Sequence, residues 1–95
     1  MKLSTIIREL ERLAPPDLQE SYDNSGLITG NSTMDITGAL ICLDSIEAVL
    51  DEAIRKKCNL IVAHHPIVFS GLKKITGKNY IERVIIKAIK NDIAI

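Results

Sequence analysis

Two short apolar runs flank one amphipathic helix, and that order constrains this chain more than any other feature. Ala39-Leu-Ile-Cys-Leu43 is apolar at every position, which suits a strand covered on both faces, as strands of parallel sheets are. Leu60-Ile-Val-Ala63 is the second run; it carries a β-branched pair and is bounded by turn signals. Between them, residues 45–57 set Ile46, Val49, Leu50, Ala53 and Ile54 at helical spacing. Acids come early (Glu47, Asp51, Glu52) and bases late (Arg55, Lys56, Lys57), matching the helix dipole. Asp44 or Ser45 is placed to cap this helix, and Asp44-x-x-Glu47 resembles a capping box. Asp51 with Arg55, and Glu52 with Lys56, stand at i,i+4. Strand 36–43, helix 45–57 and strand 60–64 then make one βαβ unit with parallel strands and a right-handed crossover. The expected class is α/β: a βαβ-containing layered sheet with helices packed on it.

The remaining segments read as supports for that unit. Ile6, Ile7, Leu10, Leu13 and Ala14 predict a helix over 4–14, with Ser4 as its cap and Pro15-Pro16 as its end. Residues 17–26 form a polar loop, 27–30 a short strand and 31–35 a turn. A loop over 66–78 leads to Asn79, which is placed to cap a third helix with Glu82 three residues on. Ile81, Val84, Ile85, Ala88 and Ile89 give that helix its buried stripe. Asp92-Ile-Ala-Ile95 opens another apolar strand. The 95 residues are therefore expected to be the N-terminal segment of a larger α/β domain, incomplete at its C-terminal side. Such a piece leaves at least one sheet edge open, which invites self-association.

Composition narrows the function classes. Twelve basic and twelve acidic residues cancel, so the net positive charge of a general nucleic-acid or anionic-membrane surface is missing. Aromatic residues are only 3%, so the core must be aliphatic. Cys42 and Cys58 sit in apolar surroundings without CxxC spacing, as free buried thiols of a reducing compartment do. The N-terminus is amphipathic and charged, unlike a secretory signal, and no apolar stretch reaches membrane-span length. A cytoplasmic protein without membrane association is expected.

His64 and His65, the only histidines, close the second apolar run and precede Pro66. Open α/β sheets bind ligands beyond the C-terminal strand ends, and imidazole is the commonest protein ligand for transition metals. Pro66 biases His65 towards an extended backbone. Extended neighbours project to opposite sides, so the two rings could reach two different ions. The plainer alternative is a hydrogen-bonded, inert strand end. Asp44 lies on the same sheet edge and is the nearest candidate third ligand, although helix capping also accounts for it; Asp23 is a weaker candidate. Asp23-Asn-Ser-Gly26 is either turn chemistry or part of a cavity lining. Gly26 and Gly30 suit close packing better than phosphate binding, because neither GxGxxG nor a Walker pattern is present.

Three segments together resemble one family. Tyr22-Asp-Asn-Ser-Gly-Leu-Ile-Thr-Gly30 is similar to its Trp-Asp-Asn-x-Gly-Leu-x-x-Gly segment, with tyrosine in place of tryptophan. Leu43-Asp44 opening a helix is similar to its next signature. Asn59-Leu-Ile-Val-Ala-His-His-Pro-Ile-Val-Phe69 is similar to its metal-binding segment. The family is the NIF-three-like family, whose members are also known as GTP cyclohydrolase I type 2 homologues. The resemblance runs in register from about residue 3 to residue 95. It implies an α/β protein with a dinuclear metal site, two divalent ions (Zn, Mn, Fe, Ni or Co) per subunit, inside a toroidal homohexamer. By position, His64 and His65 would each bind one ion. The family's bridging Asp, in a His-Thr-x-x-Asp segment, and its distal His-x-x-x-Glu pair have no counterpart here. The resemblance thus implies a metal-dependent hydrolase acting on a small-molecule or nucleotide substrate. A non-catalytic metal-binding regulator or scaffold is the alternative. The isolated 95-residue chain is expected to be inactive.

Overall fold

A computed structural model describes residues 1–15, 24–68 and 71–95. Pro16, Tyr22, Asp23 and Phe69, with most of the predicted polar loop over 17–26, lie outside the described residues. The elements run α1 (Leu3–Leu13), β1 (Ala39–Cys42), α2 (Glu47–Arg55), β2 (Leu60–Ala63) and α3 (Tyr80–Lys90). β1 and β2 pair in parallel, with Ala39 opposite Leu60 and Cys42 opposite Ala63. The predicted βαβ unit is therefore present, with strands shorter than the apolar runs. Ala94 forms a parallel bridge to Leu60 on the other side of β2, so the predicted strand opening at 92–95 begins a third position in the sheet. The predicted strand at 27–30 is not regular. Its backbone is held to the terminal segment instead, by Ile28 N to Ile95 O and Ile95 N to Thr29 O at 2.8 and 3.0 Å.

The pleat sorts side chains onto two faces. Leu40, Cys42, Ile61, Ala63, Ile93 and Ile95 belong to one core with Leu50 and Ala53 of α2 and Val84, Ile85 and Ala88 of α3. Leu60, Val62 and Ala94 face the other way, onto Leu3, Ile6 and Ile7 of α1. Aliphatic contact dominates both layers, as the scarcity of aromatics requires. The second layer stops short of β1. Ile41 is 80% exposed and Leu43 68%, so the expectation that this run is covered on both faces does not hold within the described residues. Among the described residues β1 has β2 as its only strand neighbour, which leaves the other edge of β1 open, as predicted.

The helices are held at their ends by partners the periodicity does not reveal. Lys2, not Ser4, stands at the N-cap of α1, with no side-chain cap. Its free amides are met by backbone instead: Leu3 N reaches Met34 O and Ser4 N reaches Ser32 O, each at 2.8 Å. Ile46 is the N-cap of α2, again without a side-chain cap, so neither Asp44 nor Ser45 caps it. Glu47 bonds Arg83 at 2.9 Å and Asp51 bonds Lys87 at 2.6 Å, tying α2 to α3. The expected Asp51–Arg55 pair is replaced by that bridge, while Glu52 with Lys56 is present at 3.5 Å. Asn79 caps α3 as predicted, accepting from Glu82 N at 2.9 Å. The Glu82 carboxylate turns to the preceding loop, accepting from the amides of Thr76, Gly77 and Lys78 at 2.8, 3.1 and 3.3 Å.

Gly30 carries the close approach. Its φ is +127°, and a Cβ there would lie 2.7 Å from Cβ of Ala94. Gly26 has φ +109° with open space around it, so backbone conformation, not the packing expected from the sequence, is what it supplies.

Three outcomes follow for stability. Leu50, fully buried between the sheet and α3, should cost about 2–5 kcal/mol on Leu50→Ala in urea unfolding. Gly30→Ala should cost more than about 1 kcal/mol, because it adds both strain and overlap; an unchanged midpoint would contradict the close contact. The hydrogen bond from Thr76 N, the largest cause, and those from Lys78 and Gly77 hold the Glu82 carboxyl below its ordinary value of 4.5. A lowered folded value stabilises above the unfolded one and is lost as pH falls through the folded one. The stability gap between the protein and Glu82→Gln should therefore be widest above pH 4.5 and narrow on acidification below it, as read from unfolding midpoints across that range.

Candidate metal-binding site

Both histidines stand at the C-terminal end of β2, where the ladder with β1 runs out. His64 N donates to Cys42 O at 3.0 Å and His65 N to Leu43 O at 2.9 Å. In a regular strand successive amides point to opposite sides. Here two consecutive amides both reach the neighbouring strand, so the backbone must turn, and residues 64 and 65 form a bend. The predicted extended arrangement, with rings on opposite sides, is thereby corrected. The imidazoles lie edge to face, with centroids 4.7 Å apart and planes at 63°. That is an ordinary spacing for two rings in edge-to-face contact.

Asp44 is the third member of the group. It follows the end of β1, and its Oδ1 lies 2.9 Å from Nδ1 of His65. Both side chains are more than half exposed, His65 at 54% and Asp44 at 63%. Two cavities meet at this point. A smaller one of about 350 Å³ is lined by Asp44, Ser45, His65, Ile67 and Tyr80, among others. A larger one of about 680 Å³ lies between α1, the 24–28 segment and β2, and His64 and His65 both line it. Asn24, Ser25 and Gly26 line it as well, the placement expected if this segment borders the site. Asn24 Nδ2 also donates to Val68 O at 2.5 Å, holding the segment against the chain that leaves the histidines.

Cys42 is close in sequence but is not equipped to join. Burial pushes its thiol up, the Ser45 hydroxyl opposes that, and the Asp44 charge adds to it. A raised thiol is a poor ligand and a poor nucleophile, because both roles need thiolate. Cys42 and Cys58 are both free, as the sequence suggests. Among the described residues, no three His, Cys, Asp or Glu side chains converge on one ion position. The histidines are thus brought together, Asp44 touches one of them, and Asp23 falls outside the described residues. The sequence places Asp44 on the right edge but assigns it to the helix. The available signal was the register, which sets the residue after Leu43 beside His65.

The family model for Duf34/NIF3 (NGG1p interacting factor 3) matches residues 1–95. A Staphylococcus epidermidis protein named GTP cyclohydrolase 1 type 2 homolog is 42% identical over 93 residues, covering 98% of this chain and 25% of its own length. A Clostridium perfringens protein of the same name is 43% identical, covering 98% of this chain and 36% of its own length. The crystal structure of Staphylococcus aureus protein SA1388 superposes with a TM-score of 0.94 at 36% identity, over 99% of this chain and 27% of that one. The chain spans a quarter to about a third of the length of these relatives. With a family model matched along its whole length and relatives above 40% identity, this chain belongs to the Duf34/NIF3 family.

Proposed function

We propose that this chain supplies two histidine ligands, His64 and His65, to a divalent-metal site of a metal-dependent hydrolase. The observation that carries the reading is the placement of the two imidazoles. Both are anchored through their own amides to the end of β1, stand 4.7 Å apart and line a shared cavity. The donor set suits borderline transition metals such as Zn, Mn, Fe, Ni or Co. It is incomplete within the described residues, since zinc alone takes three protein ligands with water, or four. The remaining ligands are assigned to parts of a longer polypeptide of the length its relatives have, assembled as a homo-oligomer of hexameric type.

Bound divalent ions would polarise a substrate oxygen and lower the pKa of coordinated water. The chain's own contribution is positional. The ladder holds both imidazoles at the mouth of the larger cavity, and the walls from α1 (Leu3, Ile6, Ile7) and β2 (Val62) are apolar. Such walls exclude water from the neighbourhood of a reacting group. A ring-opening hydrolysis of a nucleotide is the substrate class that the relatives' name suggests. Binding without turnover is the second reading. It is favoured by the donor set among the described residues, in which the one nearby carboxylate, Asp44, is bonded to His65.

Elemental analysis after chelator-free purification tests the reading, comparing wild type with the His64→Ala, His65→Ala double variant. The expected result is about two metals per subunit in a protein of the relatives' length, lost in the variant together with any turnover of nucleotides. Equal metal content in both would remove the histidines from the site. Metal in wild type without product from nucleotides or phosphoesters would select the binding reading.

A further inference from the structure

We infer that Asp44 is a positioning residue for His65: its carboxylate holds the ring in the tautomer that leaves Nε2 free for a ligand. The inference rests on the metal-holding reading above and extends it to a residue outside the ligand pair. A carboxylate only accepts hydrogen bonds. The 2.9 Å contact between Asp44 Oδ1 and His65 Nδ1 therefore requires the proton on Nδ1. In the neutral ring the lone pair is then on Nε2, at the far side from Asp44. Metal-bound histidines are generally fixed this way, with the second nitrogen donating to a carboxylate or carbonyl.

The competing roles for Asp44 do not account for its position. It does not cap α2, whose N-cap is Ile46 and which has no side-chain cap. It contributes little to stability, because both members of the pair are more than half exposed and screened by water. As a direct ligand it would have to give up the His65 contact or share its carboxylate between ring and ion. Among the described residues, the His65 ring is its side-chain partner. The backbone brings the two residues within reach of each other. His65 N is bound to Leu43 O at 2.9 Å, so the residue next to Leu43 is carried to the side of the His65 ring by the same register that places the ring. Among the described residues no carboxylate bonds the His64 ring, which makes it the internal reference.

The test is the imidazole tautomer in the full-length, chelator-stripped, 15N-labelled protein, read by long-range proton–nitrogen correlation at a pH above the ordinary histidine range. It is followed by competitive titration with Co(II). His65 should be protonated at Nδ1 in wild type and lose that bias in Asp44→Ala. Co(II) affinity should fall about 10–100-fold in that variant, with recovery towards wild type in Asp44→Glu. Helicity should be unchanged, because no cap is lost. Protonation of His65 at Nε2 in wild type would overturn the inference, whatever the variants do. So would an Asp44→Ala protein with unaltered tautomer and affinity. If wild type shows the Nδ1 tautomer but takes up no Co(II), the metal-holding reading fails and the inference with it. If it takes up Co(II) with His65 protonated at Nε2, the positioning role alone fails.

Discussion

The parallel pairing of β1 with β2 is the constraint on which the rest depends. It fixes Leu40 beside Ile61 and Cys42 beside Ala63 on the α2–α3 face, and Ile41 beside Val62 on the other. A slip of one residue would exchange the two faces of a strand. It would turn Ile61, which is 1% accessible, from the α2–α3 core to the α1 layer, and send Leu60 and Val62 the other way. The same register carries past the last strand residue and binds the amides of His64 and His65 to Cys42 O and Leu43 O. The core and the candidate site are thus set by one set of backbone hydrogen bonds.

The bonds that continue the ladder also explain why the site is a bend. Two successive amides that both turn towards β1 cannot belong to a regular strand, so the chain leaves the sheet where the imidazoles begin. The result is a pair of side chains held by backbone yet exposed. Their neighbours are an apolar cavity wall on one side and the Asp44 carboxylate on the other. The Asp44 contact contributes little to holding the fold together, and its significance lies in orientation.

Much of the architecture was legible in the sequence, because apolar period and length report burial directly. The βαβ unit, the parallel pairing and the Asn79 cap appear as read, and the stripe of α3 is buried at Val84, Ile85 and Ala88, but Ile89 is 58% exposed. The failures share a cause: each depended on a partner distant in sequence. Ser4 is a good cap by type, but the amides at the start of α1 are taken by the carbonyls of Ser32 and Met34. Asp44 and Glu47 fit a capping box, but His65 and Arg83 take their carboxylates. Asp51 fits an i,i+4 pair, but Lys87 of the neighbouring helix is nearer. The run 39–43 reads as doubly covered, yet among the described residues α1 packs on β2, the terminal segment, Met34 and Ile36, and not on β1. In the site, the histidines were legible from their place after a strand. The ring contact and the Asp44 bond were not, because they follow from the bend and not from alternation.

On the reading proposed above, the ladder presents His64 and His65 as a metal-holding pair. The most direct measurement is anomalous diffraction from crystals of the full-length protein grown with zinc or manganese, collected at the metal's absorption edge. The account predicts anomalous peaks at coordination distance, about 2.0–2.1 Å for zinc to imidazole nitrogen, from both rings, with the His65 contact through Nε2. Peaks elsewhere, with both imidazoles unligated, would contradict it.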